Sequence, residues 1–427
     1  MAKSPQELYQ EKEKRIQDAT ELKIPDRIPF VPQDTGLFSK HTGLTWEEAM
    51  YDAGKYIAAL KKTVIDFDFD AYYPPLIFTS GTFNDMLGFR QLKWAGAKDE
   101  DSRTRPNTVF QFVEAGSLGR EPMSAEDYDW FLDDPTDYII RRHWPRLATK
   151  FGPFRNLPPI HDMVAYYVGI GQYWPIFASP EVVSAFEALL ASGQEANKWV
   201  TGLGPYFEEM GKAGYPPIGL AIGIAPYDYF ADFLRGKKGC MLDMYRCPDK
   251  LIQAVDKVTP WIIDWALTQA RRFSNICKRV FIPIHGASGG FMSEEQHKEF
   301  FWPSLRRVIM ALIDEGFTPV VETQGIYTDR FETIKNVPKG KVIYMIESDL
   351  FKAKEILGDT ACLVGGPPSG IMSTGSPGEV KDHCKKIIDV VGKNGGFIMA
   401  TAVPVITDKP ENIRAVAEFT REYSTHK

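Results

Sequence analysis

Imidazole and carboxyl groups stand at the ends of several apolar runs in this chain, and their types suit acid–base or metal chemistry. Arg279-Val280-Phe281-Ile282-Pro283-Ile284 runs into His285. Pro319-Val320-Val321 runs into Glu322, with Gln324 two residues on. Val342 to Ile346 runs into Glu347 and Asp349, and Asp70, Asp228 and the pair His161-Asp162 are similarly placed. An imidazole and a carboxylic acid in one pocket can exchange a proton with substrate. They can also share a metal ion through nitrogen and oxygen, and zinc is the ion considered for His285 and Glu322. Tyrosines follow the same run ends and do not fall at helical core spacing. The expected site therefore has His285 and Glu322 as catalytic groups. Around them Tyr72, His161, Asp162, Tyr167, Tyr227, Asp228, Tyr229, Gln324 and Glu347 bind substrate in an aromatic, mostly apolar pocket. Plainer roles compete: Asp349 can cap the helix after it, His161 can be a core histidine, and some tyrosines can simply pack.

The elements that must position these groups alternate between strand and helix. Strand patterns cover 26–32, 67–73, 160–167, 218–224, 279–285, 319–322, 342–347, 362–365 and 397–400. The run 218–224 is continuously apolar, as in a buried parallel strand. Between these lie helix signals: Ser4-Pro5-Gln6-Glu7, Thr45 with Glu47 and Glu48, Ser179-Pro180-Glu181, Pro248 to Phe273, and Ser376-Pro377-Gly378-Glu379. This alternation predicts an α/β fold, a (β/α)8 TIM-type barrel with its active site at the C-terminal strand ends. An open doubly wound sheet is the alternative, but no GxGxxG phosphate turn supports it. The chain reads as one barrel domain, 1–427. It has an N-terminal helix within 1–25, an inserted loop or lid at 78–135, and the remainder of the barrel at 136–427.

Composition narrows the function classes. A formal charge of −6 leaves no basic footprint for nucleic acid. The five cysteines are scattered and odd in number, so neither a disulfide framework nor a CxxC metal knuckle is visible. Met1 to Arg15 is charged and has no apolar core, and no apolar run reaches the ~18 residues of a membrane span. The expectation is a cytoplasmic protein with no membrane and no nucleic-acid partner.

Gly365-Gly366-Pro367-Pro368-Ser369, Gly375-Ser376-Pro377-Gly378-Glu379-Val380, Gly395-Gly396-Phe397-Ile398 and Pro410-Glu411-Asn412-Ile413 together resemble the C-terminal signature of the uroporphyrinogen decarboxylase superfamily. Met292-Ser293-Glu294-Glu295-Gln296 with Phe300-Phe301-Trp302-Pro303 resembles that family's helix after the fifth strand. The resemblance covers roughly residues 280–423, with weaker similarity towards residue 27. The superfamily also holds corrinoid-dependent methyltransferases. Porphyrinogen decarboxylases carry an arginine-rich motif after the first strand and an aspartate in the loop after the second. Here those segments read Phe30-Val31-Pro32-Gln33-Asp34-Thr35, without arginine, and Tyr73-Pro74-Pro75-Leu76-Ile77-Phe78, without aspartate. A polycarboxylate substrate needs fixed cations, so porphyrinogen decarboxylation is disfavoured. Thiol-using methyltransferases resemble one another in a His-x-Cys zinc motif after the sixth strand. The matching positions here are Glu322 and Gln324.

What the resemblance implies is the methyltransferase branch in its demethylating direction. A small aromatic or apolar O-methyl or N-methyl donor would pass its methyl group to cob(I)alamin, and Glu322 or His285 would assist the leaving group. The chain lacks the Asp-x-His-x-x-Gly motif of corrinoid domains, so cobalamin is expected on a partner corrinoid-binding protein, with zinc possible in the barrel. A decarboxylase or lyase of the same fold acting on a small acid is the alternative, with Arg90, Arg235 or Arg330 as its cation. A non-catalytic binding barrel is the third reading.

Overall fold

The apolar runs in the C-terminal half form a parallel sheet in a computed structural model that describes residues 3–33, 36–75, 79–113, 122–164, 166–401 and 407–425. Its strands are β1 (Ala221–Ile222), β2 (Arg279–Ile284), β3 (Thr318–Thr323), β4 (Ile343–Ile346), β5 (Cys362–Gly365) and β6 (Phe397–Met399). They lie in sequence order and every pair is parallel. Two extended segments close the ring. Val31 N donates to Met399 O and Met399 N to Pro29 O, both at 2.8 Å, which docks residues 29–31 on β6. Asp70 N donates to Phe30 O at 2.9 Å. Tyr72 N donates to Pro216 O and Ile218 N to Tyr72 O, which leads back into β1. The hydrogen-bonded ring therefore has the eight staves of a TIM-type barrel.

Alternation along the staves fills the interior. Val31, Ala71, Tyr73, Ile218, Phe281, Val320, Ile343, Met345, Cys362, Val364, Ile398 and Ala400 form one buried cluster. Ile16 and Ala19 belong to the same cluster, so the N-terminal helix α1 (Pro5–Thr20) plugs the base of the barrel. The helix starts in a Ser4–Glu7 capping box, as its sequence predicts. Its buried face brings Arg15 to Asp70. Asp70 is fully buried and accepts from Arg15 Nη1 at 2.6 Å, from Arg27 Nη1 and Nη2 at 2.7 and 2.8 Å, and from Phe30 N at 2.8 Å. Arg279, at the start of β2, adds a paired contact to Glu13 at 2.7 and 2.8 Å. Asp70 is thus a base residue of the barrel and lies away from the mouth.

Between the second and third staves the chain leaves the barrel for residues 74–216. This excursion corrects two expectations. The segment 160–167 is helical, with a 3-10 turn over Ile160–Val164 and a short helix Tyr166–Gly169. Val164 and Tyr167 are 82% and 74% exposed, so the apolar run there is not buried and has no strand partner to pair with. The expected loop at 78–135 contains ordered elements: helix Gly81–Leu87, a three-stranded sheet of Leu92–Ala95, Arg103–Thr104 and Gln111–Phe112, and helix Asp127–Asp133. Phe78 and residues 114–121 of that stretch lie outside the described residues. The excursion returns along α2 (Pro180–Lys212), 33 residues and about 50 Å long. Pro248–Arg272 is one unbroken helix, α3. Its internal Pro260 sits on the exposed face, where the carbonyl it frees can meet water.

Candidate active site

Side-chain alternation carries three functional groups to the barrel mouth. In β2 and its continuation Phe281, Pro283 and His285 share a face; in β3 Val320, Glu322 and Gln324 share one; in β4 Ile343, Met345 and Glu347 share one. Phe281, Val320, Ile343 and Met345 belong to the interior cluster, so His285, Glu322, Gln324 and Glu347 face the same central space above it. Register agrees, with Pro283 beside Glu322 and Glu322 beside Met345.

Glu322 is 2% exposed. Gln324 Nε2 donates to its Oε1 at 3.2 Å, and the Gln33 side chain hydrogen-bonds it as well. Burial pushes its carboxyl up to about 7. The two amides and the nearby His285 pull the other way, and the charge of Glu347 adds to the rise. Glu322 therefore holds its proton for about half of the time near neutral pH, far more than an ordinary carboxyl does. Tyr73 lies beneath it with its hydroxyl on Met345 Sδ at 3.0 Å, and burial followed by the Glu322 charge raises that phenol further. Glu347 is exposed and accepts from Gly325 N at 2.6 Å.

His285 is held by the segment after β1. That segment is a short helix, Pro226–Asp228, running into a π-helical turn, Tyr229–Leu234. Asp228 accepts from His285 N at 2.9 Å and from Gly286 N at 2.8 Å. Asp232 lies one turn further along, and its Oδ2 is 2.6 Å from His285 Nδ1. Burial opposes a positive charge on His285. The hydrogen bond and charge of Asp232, with the charge of Asp228, outweigh it, and the imidazole is protonated more readily than a free one. Burial and the Asp232 charge push Asp228 up to about 7.

The expected residues separate into those that meet and those that do not. His285, Glu322, Gln324 and Glu347 converge at the mouth, with Asp228 directly behind. Tyr227 is buried with its ring against Gly286 and 5.6 Å from Phe301, where it supports the loop after β2. Tyr229 is half-buried beside Phe230. Tyr72 points outward, edge-on to Tyr206 of α2 at 5.1 Å, because its neighbour Tyr73 takes the inward position. His161 and Asp162 sit 3.3 Å apart on the exposed 3-10 turn, and Tyr167 is exposed beyond them, so none of the three stands at a stave end. Asp349 caps its helix through Lys352 N at 2.9 Å, as expected. Sequence reading passed over Asp232 and Gln33. Gln33 is legible as the next inward position after Val31. Asp232 is four residues past Asp228 in a helix start, the only signal it leaves.

Three described groups have ligand atoms within 4.8 Å of one another: Asp228, Asp232 and His285. A shared metal would therefore draw on these carboxylates with His285, and Glu322 stands outside the group. A thiol-activating zinc site does not fit. Gln324 offers an amide where a thiolate is needed, and Cys362 is packed inside the barrel with burial raising its thiol.

Comparison with known proteins supports this fold. Residues 214–423 match the family model of uroporphyrinogen decarboxylase (URO-D). A uroporphyrinogen decarboxylase from Chlorobium phaeovibrioides is 25% identical over 186 residues, which is 42% of this chain and 51% of that protein. The chain thus aligns with about half the length of that relative. A solved methyltransferase from Methanosarcina mazei matches with a TM-score of 0.59 at 15% identity, over 96% of this chain and 98% of that one. No helix among the described residues is long and apolar enough to cross a membrane. Residues 214–423 thus carry a domain that matches the uroporphyrinogen decarboxylase (URO-D) family model, and the barrel as a whole is similar in fold to that methyltransferase.

Proposed function

We propose that this protein is a corrinoid-dependent methyltransferase. It takes a methyl group from a small aromatic or apolar O-methyl or N-methyl donor and passes it to cob(I)alamin carried by a partner corrinoid protein. The observation that carries this reading is the mouth itself: a buried acid, Glu322, beside an imidazole, His285, whose protonation Asp232 favours. A corrinoid brought by the partner supplies the nucleophile for the methyl carbon. The work left for this chain is to bind the donor, exclude water and supply a proton. When the bond from methyl carbon to oxygen breaks, its electron pair stays on oxygen, and a proton from Glu322 or from His285 Nε2 neutralises it. No step is assigned to zinc.

The decarboxylase reading needs a free cation for a carboxylate. Arg235 is taken by Asp243 at 2.7 and 3.0 Å, and Arg330 is buried with its donors on Ala287 O and Met292 O. These two arginines are therefore engaged elsewhere; Arg90, the third candidate, lies in the excursion after the second stave, with its backbone N on Leu147 O. Anaerobic spectroscopy tests methyl transfer: the cob(I)alamin band should decay when this protein, a corrinoid protein and an aryl methyl ether or N-methyl donor are combined. Carbon dioxide release from small acids, with the band unchanged for every donor, would favour the lyase.

A further inference from the structure

We infer that Asp232 is a positioning residue for His285: its carboxylate holds Nδ1 and leaves Nε2 as the ring atom available to substrate. The inference deepens the acid role of His285 proposed above and rests on that reading only for its kinetic consequence. Its geometric basis is independent of it.

One helical segment grips the end of β2 at two levels. Asp228 fixes the backbone through the N–H groups of His285 and Gly286. With the backbone pinned, the ring has little freedom beyond its two side-chain torsions, and Asp232 occupies the direction in which Nδ1 points, at 2.6 Å. The approach is close. A Cβ on Gly286 would meet Asp228 Oδ1 at 2.5 Å and the Tyr227 ring at 3.0 Å, so a larger residue would push the gripping segment away. The segment widens into its π-helical turn at Tyr229–Leu234, which contains Asp232. The second carboxylate oxygen of Asp232 lies 3.8 Å from Lys237 Nζ, a favourable charge for that carboxylate. A carboxylate on Nδ1 stabilises the tautomer with its proton there, and also the imidazolium. Either form leaves Nε2 as the working atom.

The inference contrasts with a metal ion shared by Asp228, Asp232 and His285, which would replace the Nδ1 proton. Nitrogen-15 NMR of the full-length protein labelled at histidine distinguishes the two, with the His285 signal assigned by its loss in His285→Gln. The expected result is a protonated Nδ1 with a strongly downfield proton that disappears in Asp232→Asn, while far-ultraviolet circular dichroism stays unchanged. Consumption of cob(I)alamin should then slow on the order of 100-fold in Asp232→Asn. An Nδ1 without a proton in the wild-type protein, or a downfield proton that survives Asp232→Asn, overturns the inference. The expected NMR pattern with an unchanged transfer rate supports the positioning and instead removes the acid role of His285.

Discussion

The two ends of the barrel use buried charge in opposite ways. At the base Asp70 is fully buried, but two arginines and a backbone N–H surround it. Arg279 is matched by Glu13, and Lys12 by Asp68 at 2.6 Å. At the mouth, among the described residues, Glu322 has amide partners and no arginine or lysine partner, and Asp228 has backbone partners and a second carboxylate for a neighbour. The first arrangement pairs each charge with an opposite one. The second raises the affinity of carboxyl groups for protons, which costs stability and favours acid–base work. The same residue type, a buried acid at a stave end, is therefore structural or chemical according to its counter-charge.

Four perturbations sharpen that contrast, from the largest expected effect to the smallest. Asp70→Ala removes the buried carboxylate shared by Arg15 and the partly buried Arg27, and should lower stability by about 3–5 kcal/mol. The shift of the urea unfolding midpoint reads this, and transfer per folded molecule should change little. Glu322→Gln should do the reverse, slowing methyl transfer roughly 10²-fold or more while leaving the fold intact. Because the folded carboxyl titrates near 7, above its unfolded value, wild-type stability from this group falls as pH rises towards 7. The Gln variant lacks that loss, so its stability relative to wild type should be higher at pH 8 than at pH 5, by about 1–3 kcal/mol.

His297 tests the mouth side from the opposite sign. It is buried beside Phe301, neither ring nitrogen has a hydrogen-bond partner among the described residues, and burial first, then the Arg330 and Lys298 charges, holds its pKa down to about 3. The folded value lies below the unfolded one, so the stability this neutral imidazole contributes is complete above about pH 6.5 and declines as pH falls towards 3. His297→Leu should flatten the slope of stability between about pH 4 and 6 by up to about 1.4 kcal/mol per pH unit. Equal slopes in the two proteins would mean that His297 is already paired in solution. The smallest effect belongs to Asp26→Ala at the base. Asp26 contacts Arg15 at 2.7 and 2.5 Å, but its side chain is 56% exposed, so the loss should stay below about 1 kcal/mol. A loss as large as that of Asp70→Ala would show the base network acting as one unit.

Much of this was legible where a local rule and the global fold agree. Ser4, Thr45 and Ser376 cap their helices through capping boxes because each has its glutamate three residues on. His285 and Glu322 were legible because a parallel stave ends abruptly in a polar residue at the mouth. The 160–167 segment misled because an apolar run does not say whether anything covers it. Tyr72 misled because a one-residue step along a stave turns the side chain from the interior to the outer face. Asp232 left almost no trace, since a π-helical turn and a contact across 53 residues are needed to bring it to His285. Asp70 was read at the wrong end of the barrel because nothing in its own segment announces the arginine of α1.

Closing the barrel joins residues 29–31 to β6, near the two ends of the chain, and joins Tyr72 to Pro217 across the whole excursion. Both contacts are of very long range, and such contacts slow folding because a large loop must be closed before they form. During synthesis the first stave is made long before β6, the stave that completes the ring. A nascent chain lacking residues 397–399 therefore has an open parallel sheet with unpaired backbone groups at both edges. Folding yield should accordingly depend on chaperones and on the pace of synthesis through β6 and the residues that follow it.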